Sequence, residues 1–264
     1  MVEALIQPGD DFDTGLLSWT AQYERSILGT MRRPSVIAHR GASGYEYDNS
    51  RAAFRRAVML DADGVELDVH ATRDGGIVVH HDPEIPGVGP ICQLSLAEAR
   101  QVRIRNGETL PVLTEILDLV GNRDVWVEVK SLPVVYDHVL LNILDHGPAA
   151  GRYAVHSFDH RIVHRLGQAR PSLRRGVLLS AYLQDPVSVM RAVGATTLWQ
   201  EWQQVDQELV ANVHGAGFSV IAWTVNEIGD LDRMVRLGVD GLCGNYPDRI
   251  RVAIAPRLGE ASRA

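Results

Sequence analysis

Short apolar runs alternate with amphipathic segments from Val36 almost to the end of the chain. Each run has the length of a strand, and each intervening segment repeats its apolar residues at the period of a helix. Eight runs predict strands, at residues 36–40, 64–69, 125–130, 153–157, 176–180, 196–200, 218–224 and 240–245. Strands that alternate with helices predict an α/β fold with a parallel sheet, and eight such units favour a closed (β/α)8 TIM barrel.

Most segments between these strands have the apolar periodicity of a helix. Six segments predict helices, at residues 51–60, 134–146, 159–169, 185–193, 206–217 and 228–238. Several begin behind Asp or Asn and end at Gly, which are the residues that favour the first and last turns of helices. The pattern predicts one barrel over residues 35–254 and a C-terminal tail at residues 255–264.

Two segments do not fit this repeat. Residues 72–120 contain an extra strand, IVVHH, behind a DGG turn, and then a helix from about Ser95. They predict a small insertion after the second barrel strand. Residues 1–34 form an N-terminal extension whose apolar side chains between Leu16 and Leu28 recur with rough helical spacing. A helix packed on the barrel is one interpretation of that spacing, and a lid or a helix that touches a membrane is the alternative.

Composition and charge restrict the possible partners. Of the 264 residues 45% are apolar, which is enough for the core of one large domain. A formal net charge of −7 gives no electrostatic reason to expect nucleic acid or an acidic membrane as the main partner. Cys92 and Cys243 lack the spacing of a metal or redox motif. With an acidic N-terminus and no apolar run of transmembrane length, we expect a cytoplasmic protein without stable membrane insertion.

The predicted strand GVELDV, residues 64–69, is apolar except for Glu66 and Asp68. Successive residues of a strand alternate between its two faces, so the two carboxylates share one face. Two like charges that are side by side and partly buried repel each other and lose hydration. This arrangement needs a compensating positive charge.

Ionisable side chains gather at the C-terminal ends of the predicted strands, where barrels of this kind carry their active sites. They are His39 and Arg40, Glu66 and Asp68, Glu128 and Lys130, and His80, His81 and Asp82. Glu66, Asp68 and Glu128 form an all-oxygen site, which suits one divalent cation, Ca²⁺ or Mg²⁺, better than zinc. Such a cation would remove the repulsion between the acids.

The remaining side chains at this rim suit a phosphate ester. Arg40 and Lys130 would hold a phosphate or phosphodiester together with the cation. His39 and His81 are suited to proton transfer near neutral pH. Each feature also has a purely structural interpretation. The histidines could be hydrogen-bonded residues at strand ends, and the acids could form plain ion pairs with the two cations. The location of all of them on one rim favours the chemical interpretation.

Several sequence blocks carry these residues in order along most of the chain. They are VIAHRGASGYEYDNS, GVELDV, DGGIVVHHD, VEVK, SFDH, AWTVN and VDGLCGNYPDRI. In order, spacing and number they resemble the glycerophosphodiester phosphodiesterase family. The resemblance implies an acid/base pair in His39 and His81, metal ligands in Glu66, Asp68 and Glu128, phosphate-binding cations in Arg40 and Lys130, and an aromatic lining of the substrate pocket in Trp223.

The chain departs from the family pattern at several positions. Asp48 replaces the Glu of the family's Pro-Glu-Asn-Thr element, and we expect it to support the metal site at altered reach or through a water. Ser50 replaces the Thr and can still cap the following helix. Cys243 and Gly244 replace Ile-Thr or Val-Thr, which predicts a wider or drier pocket. Residues 199–202, WQEW, add bulk and another acid near the rim, where they bear on substrate choice.

The resemblance implies metal-dependent hydrolysis of a small glycerophosphodiester to an alcohol and sn-glycerol 3-phosphate. One alternative is a lysophospholipase D-like lipid phosphodiesterase, whose acyl groove would come from Trp199, Trp202 and the N-terminal segment. The other is a non-catalytic phosphate-ligand binder on the same barrel. The sequence does not decide which His is the acid, whether water or a substrate hydroxyl attacks, or the oligomeric state.

Overall fold

Eight parallel strands close into a barrel in the computed structural model, which describes residues 33–255. The strands are β1 Ser35–His39, β2 Gly64–Ala71, β3 Ile77–Val79, β4 Glu84–Ile85, β5 Gly89–Pro90, β6 Asp124–Ser131, β7 Tyr153–Ser157, β8 Arg174–Leu179, β9 Thr197–Glu201, β10 Ser219–Trp223 and β11 Gly241–Gly244. Strands β1, β2 and β6 to β11 pair in that order, and β11 returns to β1. The predicted (β/α)8 barrel is therefore confirmed.

The helices lie between these strands. They are α1 Arg51–Met59, α2 Leu96–Ala99, α3 Leu113–Val120, α4 Asp137–His146, α5 His160–Ala169, α6 Pro186–Val193, α7 Gln207–Gly215, α8 Ile228–Leu237 and α9 Pro247–Ile254. The sequence pattern did not separate α3 from the insertion and did not predict α9. The helix predicted from about Ser95 is a single turn, because the chain turns back after it and the Leu110 N–H donates to the Val102 carbonyl.

The insertion after the second barrel strand is confirmed. Strand β3 runs antiparallel to β2 outside the barrel, with Val79 opposite Val69. Strands β4 and β5 form a two-stranded hairpin, and the segment has its own small apolar core that includes Val78, Ile91 and Leu110. Helix α3 packs on α1, so it is the regular helix that precedes the next barrel strand.

The two faces of β2 lie in different environments. Val65, Leu67 and Val69 pack in the apolar layer between the strands and the helices. Glu66 and Asp68 therefore face the barrel interior, as the alternation of the sequence predicts. Deeper in the interior an apolar cluster fills the barrel, and it includes Ile37, Trp126, Leu178, Trp199, Ile221 and Cys243.

Two predictions lie outside the described residues. The helix predicted within residues 1–34 and the tail predicted for residues 255–264 fall almost entirely outside residues 33–255. Over that described range, no helix combines the length and the apolar character needed to cross a membrane.

Candidate active site

Glu66, Asp68 and Glu128 meet near the C-terminal end of the barrel. Strands β2 and β6 are neighbours in register, with Asp68 opposite Glu128. Each residue offers one carboxylate oxygen, and these three oxygens all lie within 4.8 Å of one another. All three side chains are buried. The structure thus brings the three predicted acids together.

Two cations neutralise part of this charge. Arg40 Nε lies 3.0 Å from Asp68 Oδ2, and the Arg40 backbone N–H donates to Glu66 Oε2 at 3.1 Å. Lys130 Nζ lies 3.1 Å from Asp68 Oδ1 and 2.7 Å from Glu128 Oε1. Both predicted phosphate-binding residues are therefore in direct contact with the acids.

A left-handed turn after β1 directs Arg40 into the site. The φ angle of Arg40 is 53° and that of Gly41 is 80°. Gly41 is needed there, because a Cβ at this position would lie 2.6 Å from the backbone carbon of Ala53. The turn leads the chain over the end of the barrel towards α1.

Burial and mutual repulsion set the protonation of the acids. Burial, with a further contribution from Asp68, raises the pKa of Glu66 to about 7, and the same two causes raise the pKa of Glu128 to about 7. Burial alone would also raise the pKa of Asp68, but Lys130, Arg40 and a hydrogen bond from Asn49 lower it to about 2. Two of the three carboxylates therefore lack sufficient positive charge around them.

The donor set fits a divalent cation. Three buried carboxylates with only two cationic side chains in contact favour the binding of further positive charge. Their hard oxygen atoms suit Ca²⁺ or Mg²⁺, and no cysteine belongs to the cluster in the described part of the chain. A bound cation would hold Glu66 and Glu128 in the ionised state.

His39 ends β1 beside the acids. Its Nδ1 lies 2.8 Å from Asn245 Oδ1, and its Nε2 lies 3.9 Å from Glu66 Oε2. A carbonyl oxygen can only accept, so Nδ1 carries the proton in this arrangement and Nε2 is left as the acceptor. Burial lowers the pKa of His39, with Arg40 acting in the same direction. The ring is thus a neutral proton acceptor that faces the acids.

His81 lies at the end of the extra strand, at the edge of the site. The backbone N–H of His80 donates to the Asp68 carbonyl at 3.0 Å, which extends the pairing of β2 with β3. His81 is partly exposed, and its Nδ1 lies 2.7 Å from Asp82 Oδ1. Buried His70 holds the His81 carbonyl through Nε2 at 3.0 Å. Within residues 33–255, no hydrogen bond or ion pair joins the His81 ring to the three acids.

Asn49 contacts the acids directly, whereas Asp48 contacts Arg40, so the expected support of a metal site by Asp48 stays a prediction. Asp48 Oδ2 accepts from Arg40 Nη1 at 3.2 Å, so it acts on the guanidinium. Asn49 Nδ2 donates to Asp68 Oδ2 at 2.7 Å, and its Oδ1 accepts from the Asp68 N–H at 3.3 Å. The contact of Asn49 with Asp68 was not predicted, because the Asn49 side chain reaches β2 only through a left-handed backbone with a φ angle of 54°.

His156 is a second residue without a sequence-based assignment. It is 1% exposed, and its Nε2 lies 3.8 Å from Glu66 Oε1. Its ring packs against both Trp126 and Trp199, and neither ring nitrogen has a hydrogen-bond partner among residues 33–255. Burial lowers the pKa of His156 to about 4, so the ring is neutral. The register of β6 and β7 places His156 opposite Glu128. Alternation along β7 sets the face of the sheet on which His156 lies, and this is the signal in the sequence that points to it.

The remaining residues singled out by the sequence lie in different parts of the barrel. Trp223 ends β10, and its ring packs edge to face on Phe158 with the ring centroids 5.7 Å apart. The space next to Gly244 is filled, because a Cβ there would lie 2.2 Å from the Val225 carbonyl oxygen, so the pocket is not wider at this position. The alternative expectation of a drier pocket stays a prediction. Trp199, 1% exposed, belongs to the barrel interior and lines no surface groove.

Known proteins resemble this chain over most of its length. The model of the glycerophosphoryl diester phosphodiesterase family matches residues 39–249. A glycerophosphodiester phosphodiesterase of Caldanaerobacter subterraneus subsp. tengcongensis is 32% identical over 231 residues, which cover 81% of this chain and 95% of that protein. A probable glycerophosphodiester phosphodiesterase 1 of Mycobacterium tuberculosis is 30% identical over 251 residues, which cover 83% of this chain and 91% of that protein.

A solved structure has the same fold. It is a phosphodiesterase of Oleispira antarctica in complex with the product sn-glycerol-3-phosphate, and it superposes with a TM-score of 0.79 at 24% sequence identity. The match covers 84% of this chain and 96% of that one. With most of its length matched by the family model and by relatives at 30% identity or more, this chain belongs to the glycerophosphoryl diester phosphodiesterase family.

Proposed function

We propose that this protein is a metal-dependent glycerophosphodiester phosphodiesterase that releases an alcohol and sn-glycerol 3-phosphate. Its family membership makes it a phosphoric diester hydrolase. The observation that carries the metal dependence is the buried cluster of Glu66, Asp68 and Glu128 in contact with Arg40 and Lys130. Acids and cations in this arrangement suit a doubly charged ion and a phosphate group together.

Glu66, Asp68 and Glu128 would hold one Ca²⁺ or Mg²⁺ ion through their carboxylate oxygens. When bound, the ion would stabilise the negative charge that develops on the phosphate during hydrolysis. Arg40 and Lys130 bind phosphate oxygens as fixed positive groups. Asp48 restrains the Arg40 guanidinium and so helps to orient it.

His39 is the proton acceptor in this proposal. Asn245 keeps the ring proton on Nδ1, and Nε2 is free to take a proton from the attacking water or substrate hydroxyl. His81 is the proton donor. Its Nδ1 lies 2.7 Å from Asp82 Oδ1, a contact that orients the ring, and the ring gives a proton to the leaving alcohol oxygen.

Trp223 contributes a wall of the substrate pocket. Its indole Nε1 is buried and has no hydrogen-bond partner among the described residues 33–255. A buried N–H group without a partner is unfavourable, and a substrate oxygen would satisfy it. This supports the substrate-binding role that the resemblance implies.

Release of sn-glycerol 3-phosphate from glycerophosphocholine tests the proposal. We expect activity that EDTA abolishes and that Ca²⁺ or Mg²⁺ restores. Glu66→Gln should lose the activity, while Glu208→Gln, a change on the exposed face of α7, should keep it. Binding of sn-glycerol 3-phosphate without turnover of any diester would instead support the non-catalytic binder.

A lysophospholipase D-like activity has one observation in its favour. Val134, Val135 and Ile228 are 71%, 65% and 63% exposed, and they follow the ends of β6 and β10 at the barrel mouth. Exposed apolar side chains beside an active site suit a lipid substrate. Faster hydrolysis of lysophosphatidylcholine than of glycerophosphocholine would favour this candidate, and the reverse order would favour the water-soluble diester.

A further inference from the structure

Glu201 is an acidic residue at the barrel mouth. It has no role in the proposed hydrolysis. It ends β9, and its Cα pairs in register with that of Trp223 at the end of β10. Two residues earlier in each strand, Trp199 and Ile221 lie in the apolar cluster inside the barrel. Because strand residues two apart share a face, Glu201 and Trp223 both project to the inner side of the mouth.

The Glu201 carboxylate has no partner in the described part of the chain. Across residues 33–255 it forms neither a hydrogen bond nor an ion pair. The three acids of the candidate metal site differ in this respect, since Asp68 contacts both Arg40 and Lys130. Glu201 is only partly buried, so its carboxylate is accessible to a ligand.

Two aromatic rings lie on the same side of the mouth. Phe158 follows β7 and meets Trp223 of β10, and the two strands flank β8 and β9 in the barrel. The acidic cluster and its cations belong to β1, β2 and β6 on the other side. Across the mouth, Arg40 and Lys130 come first. The aromatic pair of Phe158 and Trp223 follows, and the Glu201 carboxylate comes last.

We propose that Glu201, Trp223 and Phe158 form a subsite for a positively charged leaving alcohol, an amine or a quaternary ammonium. This inference rests on the proposed hydrolysis of a glycerophosphodiester. In such a substrate the anionic phosphate is joined through a short carbon chain to a cation, which matches the order of charges across the mouth. Aromatic faces attract ammonium groups, and a nearby carboxylate adds to the attraction.

A pair of esters that differ only in charge tests the subsite. Glycerophosphocholine carries a quaternary ammonium, and the 3,3-dimethylbutyl ester of glycerol phosphate has nearly the same shape without the charge. We expect the wild-type protein to favour the choline ester in kcat/KM by about tenfold. Glu201→Gln should remove most of this preference, mainly through KM for the choline ester, and should leave the neutral ester almost unchanged.

Two further variants accompany this test. Phe158→Leu keeps an apolar side chain at a position that is 47% exposed, so it tests the aromatic contribution at little risk to folding. It should also reduce the preference for the choline ester. Glu208→Gln removes a similar charge from the exposed face of α7 and should leave the preference as in the wild type.

The outcomes separate this inference from the proposed function. Equal kcat/KM of the wild-type protein for the two esters, or an unchanged ratio in Glu201→Gln, would overturn the subsite while the phosphodiesterase activity stands. A failure of the wild-type protein to hydrolyse either ester with Ca²⁺ or Mg²⁺ would overturn the proposed function and the subsite with it.

Discussion

Asp68 organises the positive charge of the candidate active site. This fully buried carboxylate contacts Arg40 Nε, Lys130 Nζ and Asn49 Nδ2, all within 3.1 Å. These contacts keep its pKa low in a place where burial alone would raise it. Glu66 and Glu128 receive less compensation, and this difference is what makes the cluster receptive to a further cation.

The acid/base assignment predicts the behaviour of two variants. His39→Ala and His81→Ala should each lower turnover of glycerophosphocholine by at least ~100-fold, because each removes a proton-transfer group. His164→Ala, on the exposed face of α5, serves as the matched control and should be fully active. Steady-state kinetics at saturating metal measure the effect. Near-normal turnover in both site variants would refute the assignment.

At the level of elements, strand alternation predicted much of the site. It placed Glu66 and Asp68 on one face of β2, and the order of strand ends grouped them with Glu128 and the two cations. The same alternation applies to β7 and points to His156, which lies opposite Glu128 one residue before the end of the strand.

Other contacts depend on backbone geometry that a sequence pattern does not encode. Asn49 reaches Asp68 from a left-handed position in the loop before α1. Asn245 meets His39 because β11 closes the barrel onto β1, across 206 positions of sequence. Gly244 lies next to the Val225 carbonyl, which only the packed structure reveals. Contacts made by loops, and contacts between β11 and β1 where the barrel closes, were therefore not predicted from the sequence.

The predicted cap of α1 is present and has a measurable effect. Ser50 Oγ accepts the Ala53 N–H at 3.1 Å at the start of the helix. Ser50→Ala should lower the free energy of unfolding by about 1 kcal/mol, since it leaves a backbone donor without its partner. Urea denaturation measures this loss, with Ser172→Ala in an exposed turn as the control. Equal stability of the two variants would contradict the role of the cap.

At the scale of the molecule, closure of the barrel brings two cationic side chains together at one end of an acidic protein. The chain has a formal net charge of −7, yet Arg40 and Lys130 both contact Asp68 at one end of the barrel. The residues of this site come from β1, β2, β6 and the turn after β1, so only the closed fold assembles them. A phosphate site in such a protein is necessarily local.

Metal binding should depend on pH in a defined direction. The pKa values of Glu66 and Glu128 are raised to about 7, so below that pH a cation must displace protons from them. Affinity for Ca²⁺ or Mg²⁺ should therefore rise as the pH increases to about 7, by roughly tenfold per pH unit for each proton displaced. Above that pH the affinity should level off. Isothermal titration calorimetry in buffers of different ionisation enthalpy measures affinity and proton release together.

The same pKa shifts affect the stability of the metal-free protein. Because the folded state binds protons more tightly at Glu66 and Glu128, its stability should decline as pH rises from about 4.5 to about 7. The increase in Tm on adding metal should accordingly be larger at about pH 8 than at about pH 5. An equal increase at both pH values would argue against these acids as the ligands.

The most direct measurement is a crystal structure of the protein soaked with Mn²⁺ in place of Mg²⁺, with anomalous differences recorded at the manganese absorption edge. A single strong peak in contact with carboxylate oxygens of Glu66, Asp68 and Glu128 is the predicted result. If no anomalous density appears there, and Arg40 and Lys130 still form their ion pairs with Asp68 and Glu128, the account is contradicted.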